Sequence, residues 1–416
     1  IKDRQMNFKL THGLLGGRIA RGVAMLGAVA ALVACGGGGG GSDSGEGTLR
    51  VALTDAPACG YENVWVTVEK VRVHKSASAS DEDSGWSELT LSPARRVDLR
   101  TKTNGLLEEL GTIPLPAGQY SQIRLVLASN SGSGDTALAN AVKPTGSAVA
   151  ALNTPSGQQS GLKLQAHFEV PAGQLADVVL DFDACRSVVK AGSSGQYQLK
   201  PVIAVMPRVV TGIQGFVATS LPLGSTTVAA QQDGATIRST IPDGTGKFNI
   251  PFLPAGSYTL VIASDGHATA VITGVTTGTA TTVINGTTTA IASPVSTMAD
   301  VTGTVTLSAL SGTTTVATPL TDATARALQA LTGGPAIELG HQAVDSVLGN
   351  YSFRLPVGAP VKAAFVSATT PLSFLPDAPV ASKYTIQVQS PGRATQEKPA
   401  SISGGTSASV NFNYGL

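Results

Sequence analysis

Apolar and polar positions alternate along most of the chain. Val64, Val66 and Val68 are separated by Trp65 and Thr67, and the run 64–73 is rich in β-branched residues. That period of two marks a strand with one buried face. Runs of the same kind fall at 49–53, 122–128, 163–170, 177–182 and 199–206. One segment reads differently: 104–111 predicts a short helix, with Asn104 as its N-cap and Gly111 as its stop.

A corner recurs between the strands. Leu115-Pro116-Ala117-Gly118-Gln119-Tyr120 returns as Leu253-Pro254-Ala255-Gly256-Ser257-Tyr258, and in degraded form as Leu355-Pro356-Val357-Gly358. A shorter Pro171-Ala172-Gly173 precedes the 175–182 run. Proline presets φ near −65° and glycine supplies a positive φ, so each predicts a strand–turn–strand corner. Apolar alternation follows the first two, at 123–127 and 259–262. Within the third copy, 321–331 poses a conflict. Local propensity reads an Ala/Leu helix from Thr321 to a stop at Gly333. Alignment with the repeat reads a strand with Ala323, Ala325 and Ala327 on one face, and the strand is preferred because tertiary context overrides propensity.

The chain has 416 residues, room for two or three domains. Hydrophobic residues make up 42%, but charged residues only 13%, with 48 glycines. This suits many short strands joined by Gly/Pro turns and argues against a charged disordered chain. A net charge of +1 gives nucleic acid no basic face.

The first residues read as an address. Met6 is the expected start, with Ile1 to Gln5 as upstream read-through. Lys9, Arg18 and Arg21 precede an uncharged stretch, 22–34, that ends at Cys35. A cationic segment followed by a short apolar core is a secretory signal, too short to span a bilayer. The tetrad Leu32-Val33-Ala34-Cys35 resembles the bacterial lipobox. The resemblance implies cleavage before Cys35 and acylation of that cysteine, with the membrane as partner through the acyl chains. Gly36 to Gly41 and the polar residues up to Gly47 form a flexible tether. Gly36, rather than Asp, after the cysteine points to the outer membrane. Cleavage removes five cations and one anion from the 28 and 27 of the whole chain, leaving a net charge of −3.

The three cysteines are Cys35, Cys59 and Cys185. With the first acylated, an even pair remains in an oxidising compartment, which predicts a Cys59–Cys185 disulfide. That bridge would make 48–60 and 175–190 neighbours in one domain. No CxxC spacing supports a zinc ribbon or thioredoxin-like site.

Catalytic chemistry finds little footing. Histidines stand at 12, 74, 167, 267 and 341, with no HExxH and no GxSxG. Gly246-Lys247 lacks the rest of a phosphate loop and reads as a hairpin turn. The acidic run Asp81-Glu82-Asp83 fails the calcium-loop pattern and reads as a solvated loop. His74 and His167 read as hydrogen-bonded sheet histidines rather than metal ligands. Asp181 and Asp183 share a strand face beside Cys185, and Asp55 precedes Cys59 by four residues. If the bridge forms, these three carboxylates converge; turn capping is the preferred reading, and a hard-cation site is the weaker candidate. Trp65, Trp86, Tyr61 and Tyr120 are candidates for a sugar-stacking platform, with core or edge packing preferred. No cofactor is expected, and the chain is read as no enzyme.

Segment 48–208 resembles the bacterial lipoprotein domain called domain of unknown function 4382. The carrying residues are Leu53-Thr54-Asp55-Ala56-Pro57, Val71-Arg72-Val73-His74, Gly85-Trp86, Val97-Asp98-Leu99, Asn104-Gly105, the first corner, and Asp181-Phe182-Asp183-Ala184-Cys185. Segment 209–297 resembles the carboxypeptidase regulatory-like domain, through Gly215-Phe216-Val217, Pro222-Leu223-Gly224, Gly246-Lys247-Phe248-Asn249-Ile250, the second corner and Asp265-Gly266-His267. That resemblance implies a prealbumin-like sandwich of a carbohydrate-binding-like fold, without implying a sugar site. Segment 298–416 reads as a diverged second copy.

The expectation is an all-β chain of tandem antiparallel β-sandwiches after a cleaved lipoprotein signal peptide: 1–35 signal and lipobox, 36–47 tether, then sandwiches at 48–208, 209–297 and 298–416. The function expected is non-catalytic: a lipid-anchored cell-envelope protein presenting binding or adhesion modules. A carbohydrate-binding module and a structural spacer are the alternatives, with a glycan or an envelope protein as possible partner.

Overall fold

The structure, a computed structural model, describes residues 45–415 apart from 57–59, 132–137 and 313. The signal, Cys35, residues 36–44 of the tether and Cys59 lie outside the described residues; Glu46 and Gly47, expected as tether, instead begin the first strand by pairing with Pro116 and Leu115. The regular structure of the described residues is almost all strand, with short turns of helix, arranged as three β-sandwiches.

In the first sandwich a four-stranded sheet runs in the order Ile203–Pro207, Leu175–Asp183, Glu46–Ala56, Glu108–Pro116. The other sheet has eight strands, with Tyr61–His74 near its centre between Gly118–Leu127 and Ala141–Pro144. Leu49, Val51 and Leu53 from one sheet and Val64, Val66 and Val68 from the other fill a common core. The alternation read from the sequence therefore sets the buried face.

The sheets are mixed rather than purely antiparallel. Glu46–Ala56 pairs antiparallel with Glu108–Pro116 but parallel with Leu175–Asp183, placing Leu53 opposite Leu180 and Asp55 opposite Phe182. A strand that returns after a long excursion can enter in either direction, and only tight hairpins enforce reversal.

Two local expectations fail. No helix forms at 104–111: Asn104 and Gly105 turn the chain with φ of 57° and 84°, and Glu108–Pro116 is a strand. Asn104 acts as a left-handed turn residue, and burying Leu110 and Leu115 in the core outweighs helix propensity. The 199–206 run divides at Lys200-Pro201 into Gln196–Leu199 and Ile203–Pro207, which belong to different sheets. Pro201 has no N–H to donate to a ladder.

The recurring corner has a common lock. The Tyr120 hydroxyl donates to the Pro116 carbonyl at 2.9 Å, and Tyr258 donates to Pro254 at 2.9 Å. The third corner has proline at the corresponding position, and Tyr384 from strand Lys383–Gln389 supplies the hydroxyl to Pro356 at 2.5 Å. The positive φ expected of each corner glycine is present at Gly118 (138°) but not at Gly256 or Gly358. At Gly256 a Cβ would lie 2.9 Å from Gln232 Nε2, the end of a side chain that can swing away, so no backbone requirement fixes glycine there.

The second sandwich pairs a three-stranded sheet (Lys247–Pro251, Gly212–Phe216, Thr282–Val283) with a larger one built on Thr226–Gln232, Gly256–Ser264 and Ala270–Thr277. The larger sheet does not end within its own segment. Val361–Ala364 adds to Ala270–Thr277 in parallel, followed by Leu375–Pro376. Val361 is buried in the second core, with Phe365, Leu372 and Phe374 packed against it.

The third sandwich sets the long strand Met298–Ser311 and its partners against Ala336–Ala343, Thr324–Ala330, Lys383–Gln389 and Gln396–Ser401. The contested 321–331 segment is a strand over Thr324–Ala330, with Ala323, Ala325 and Ala327 buried on one face.

Candidate functional site: the junction of the three sandwiches

The parallel register in the first sandwich gathers its acidic residues. It places Thr54 opposite Asp181 and Ala56 opposite Asp183. Leu175–Asp183 runs into the one-turn helix Ala184–Ser187, which Asp183 caps by accepting from the Arg186 N–H at 3.0 Å. Asp55 is buried and accepts from the Ala184 N–H at 3.0 Å. Asp181 turns toward the second sandwich, where Arg238 of strand Ala235–Thr240 lies 3.2 Å away. Both side chains are buried, 7% and 3% exposed.

Burial raises all three carboxyls above the ordinary range. For Asp183 it outweighs attraction from Arg186 and carries the group to about 7. At Asp55 burial is opposed by the Ala184 bond and reinforced by Asp183 and Asp181. At Asp181 it exceeds the attraction of Arg238. The same burial lowers Arg238, against the pull of Asp181. Desolvation exceeds Coulombic attraction on both sides of this pair.

The third sandwich contributes Glu338 and His341 from Ala336–Ala343. Arg326 Nε donates to Glu338 Oε2 at 2.5 Å, and His341 Nδ1 lies 3.6 Å from the same oxygen. Burial pushes Glu338 upward, but its bonds to His341 and Arg326 prevail and hold it below its usual range. His341 is lowered, chiefly by burial. Its Nε2 meets Arg186 Nη2 of the first sandwich at 3.4 Å. Gln231 of the second sandwich completes the web: its amide donates to the Glu338 carbonyl at 2.7 Å and accepts from the Glu338 N–H at 2.9 Å.

Two loops tie the modules outside this web. Asp345 accepts from the Gly192 N–H with both carboxylate oxygens, at 3.0 and 2.8 Å. The Asn104 N–H donates to Thr240 Oγ1 at 2.8 Å. A cleft of about 760 Å³ opens between the first and third sandwiches, lined by Tyr61, Lys190, His341, Asn350, Ser352 and Arg354 among others. A cavity of about 120 Å³ touches all three modules at Asp183, Arg186, Thr236, Glu338 and His341.

Asp55, Asp181 and Asp183 thus converge: two cap backbone N–H groups through one oxygen each and one faces a guanidinium, while Asp55 Oδ2 and Asp181 Oδ1 are buried without a hydrogen bond from the described residues. Among the described residues no three His, Cys, Asp or Glu side chains are grouped to hold a metal. Cys185 sits in the short helix, and the register delivers residue 56 beside Asp183, two positions before it.

The aromatic candidates do not form one platform. Arg96 covers Trp65 at 4.7 Å, Tyr61 meets Tyr197 edge-on, and Tyr120 stacks on Phe168. Trp86 is contacted by the Arg72 and Arg124 guanidiniums at 4.7 and 4.8 Å. His74 accepts at Nδ1 from the Ser76 N–H and bonds the Ser84 carbonyl through Nε2, so it is a hydrogen-bonded sheet histidine. His167 is exposed on the outer face of Leu162–Val170. In the acidic run, Asp81 pairs with the buried Arg124, and Asp83 accepts from the Ser80 N–H and hydroxyl.

Arg186, Arg238, Arg326, Glu338 and His341 escaped sequence reasoning. For Arg238, Arg326 and Glu338 the available signal was a charge at a strand position in a chain where charge is scarce.

Residues 46–201 match the family model described as Domain of unknown function (DUF4382), and residues 212–289 match that of the carboxypeptidase regulatory-like domain. The chain carries these two domains in tandem. The second is a β-sandwich module of regulatory-like rather than catalytic type. No curated protein matches the chain. Among solved structures it is similar to the Bacillus anthracis TIE protein at 13% identity, over 89% of this chain and 50% of that one. The chain therefore spans half the length of that relative, and a TM-score of 0.16 is too low to relate the two folds.

Proposed function

We propose that this is a non-catalytic, lipid-anchored envelope protein, held by acylated Cys35 and presenting three sandwiches as one arm. The observation that carries the reading is the junction itself. The buried Asp181–Arg238 pair, the Arg186–His341 contact and the Gln231–Glu338 bonds join modules to one another, and the strand Val361–Ala364 stitches the third segment into the second sheet. An arm of this kind transmits position and load from an anchor to loops at its far end, where binding residues usually sit. The Cys59–Cys185 disulfide belongs to the same proposal.

Intact mass of the native protein, with acyl-chain labelling, tests the anchor. Cleavage before Cys35 with added acyl mass is the expected result; an unmodified residue 35 or an uncleaved leader would remove the envelope placement. Pull-down from envelope extracts alongside a glycan array tests presentation. A bound envelope protein supports it, whereas selective glycan capture would favour the carbohydrate-binding alternative.

A further inference from the structure

We propose that the contact between the first and third sandwiches is an acid-released latch, closed by the Arg186 guanidinium donating to the unprotonated Nε2 of His341. Arg186 lies in helix Ala184–Ser187 and His341 on strand Ala336–Ala343, with the two nitrogens 3.4 Å apart. A guanidinium has donors and no acceptor, so this bond exists only while Nε2 keeps its lone pair. The other ring nitrogen, Nδ1, faces Glu338 Oε2 at 3.6 Å, so the tautomer that leaves Nε2 free for Arg186 turns its N–H toward this carboxylate. One neutral tautomer satisfies both partners.

Acid changes this arrangement. A proton on Nε2 sets imidazolium directly against guanidinium at a side chain only 13% exposed. Three charged groups face His341: Arg186 from the helix, Glu338 from its own strand and Arg326 from Thr324–Ala330. Glu338 already accepts from Arg326 at 2.5 Å, so the new cation shares a carboxylate in use. Asp183, 3.8 Å from Arg186, is the anion on the other side, and burial has carried it to about 7. Arg186 thus begins to lose its own counter-charge near pH 7, before acid protonates the lowered His341 imidazole.

Burial and the two arginines hold the imidazole below its ordinary value despite Glu338. The latch stays closed at neutral pH and opens as pH falls below the usual imidazole range. His341 also borders the cleft of about 760 Å³. Release loosens the His341 side of that cleft, while the Asp345 tie to Gly192, the Ser346 N–H to the Lys190 carbonyl and Lys200 to the Thr321 carbonyl remain as the hinge.

Hydrogen exchange of the full chain between pH 7.5 and 5.0, corrected for intrinsic rates, reads the latch. Protection at 184–191 and 336–343 is expected to fall with acid, approaching about tenfold per pH unit below the imidazole pKa, while strand Glu46–Ala56 is unchanged. His341→Gln supplies an amide that accepts from Arg186, donates to Glu338 and does not titrate, so its protection stays flat. A wild-type chain without the change, or the same change in His341→Gln, overturns the proposal. If that variant misfolds, ¹⁵N NMR of the wild-type imidazole decides. An Nδ1–H tautomer with a depressed pKa supports the latch; an Nε2–H tautomer at pH 7.5, or a pKa above 6.5, refutes it.

Discussion

Asp181→Asn should unsettle the joint between the first and second sandwiches out of proportion to one lost charge. Arg238 is 3% exposed, and Asp181, 3.2 Å away, is its anionic partner. Its remaining close contacts are the Met206 sulfur at 2.8 Å, a weak acceptor, and the Phe252 ring at 5.4 Å. Removing the carboxylate leaves a buried guanidinium uncompensated, a change that costs about 3–5 kcal/mol. For a cooperative unit spanning the three sandwiches, with unfolding entropy near 2.1 cal/mol/K per residue, this lowers Tm by about 4–7 °C. Replacing both partners, Asp181→Leu with Arg238→Met, should instead be neutral or stabilising by up to about 4 kcal/mol, because desolvation already exceeds attraction on both sides of the pair. Differential scanning calorimetry of the full-length variants measures both effects. An Asp181→Asn transition within about 1 °C of wild type, or a double variant less stable than either single one, would show that the pair is not an isolated buried charge couple.

The remaining predictions concern the corners, the acidic cluster and the cysteines. Tyr120→Phe strips the hydroxyl from the Pro116 carbonyl, and chemical denaturation should show about 1–3 kcal/mol lost; Tyr258→Phe should cost less, about 0.5–1.5 kcal/mol, because Thr277 also donates to the Pro254 carbonyl. Asp183 has a folded pKa of about 7 against 3.8 for the free group, so its contribution favours the fold at low pH and is lost as pH rises from about 4 through 7. Asp183→Asn keeps a capping oxygen while removing that titration. Stability measured from pH 4 to 8 should then be flatter in the variant, and an unchanged slope would exclude Asp183 as its source. Cys185→Ser should cost about 4–5 kcal/mol if the bridge to Cys59 closes its long loop; non-reducing peptide mapping that finds both thiols free would count against the bridge.

Much of the architecture was legible along the chain because strand period, turn chemistry and burial are local codes. Val64 to Val73 alternates and Pro and Gly mark the corners, so the all-β reading needed no long-range information, whereas the strand preferred within 321–331 rested on alignment with the repeat against local helix propensity. Even the gathering of Asp55, Asp181 and Asp183 followed from two segments expected to be neighbours. What they do when gathered did not. Arg238, His341 and Arg326 reach that cluster from strands tens to more than a hundred residues away, and no spacing rule connects them. Asn104 shows the same limit at short range: its neighbours suggest a helix, but a core that buries Leu110 and Leu115 makes a turn and a strand. The excursion that adds Val361–Ala364 to the second sheet is likewise invisible in a repeat alignment, because backbone pairing carries no side-chain signature of its partner. Sequence alone determined which faces are buried; the tertiary structure decided which buried faces and charges meet, since that depends on the summed desolvation and packing of elements distant in the chain.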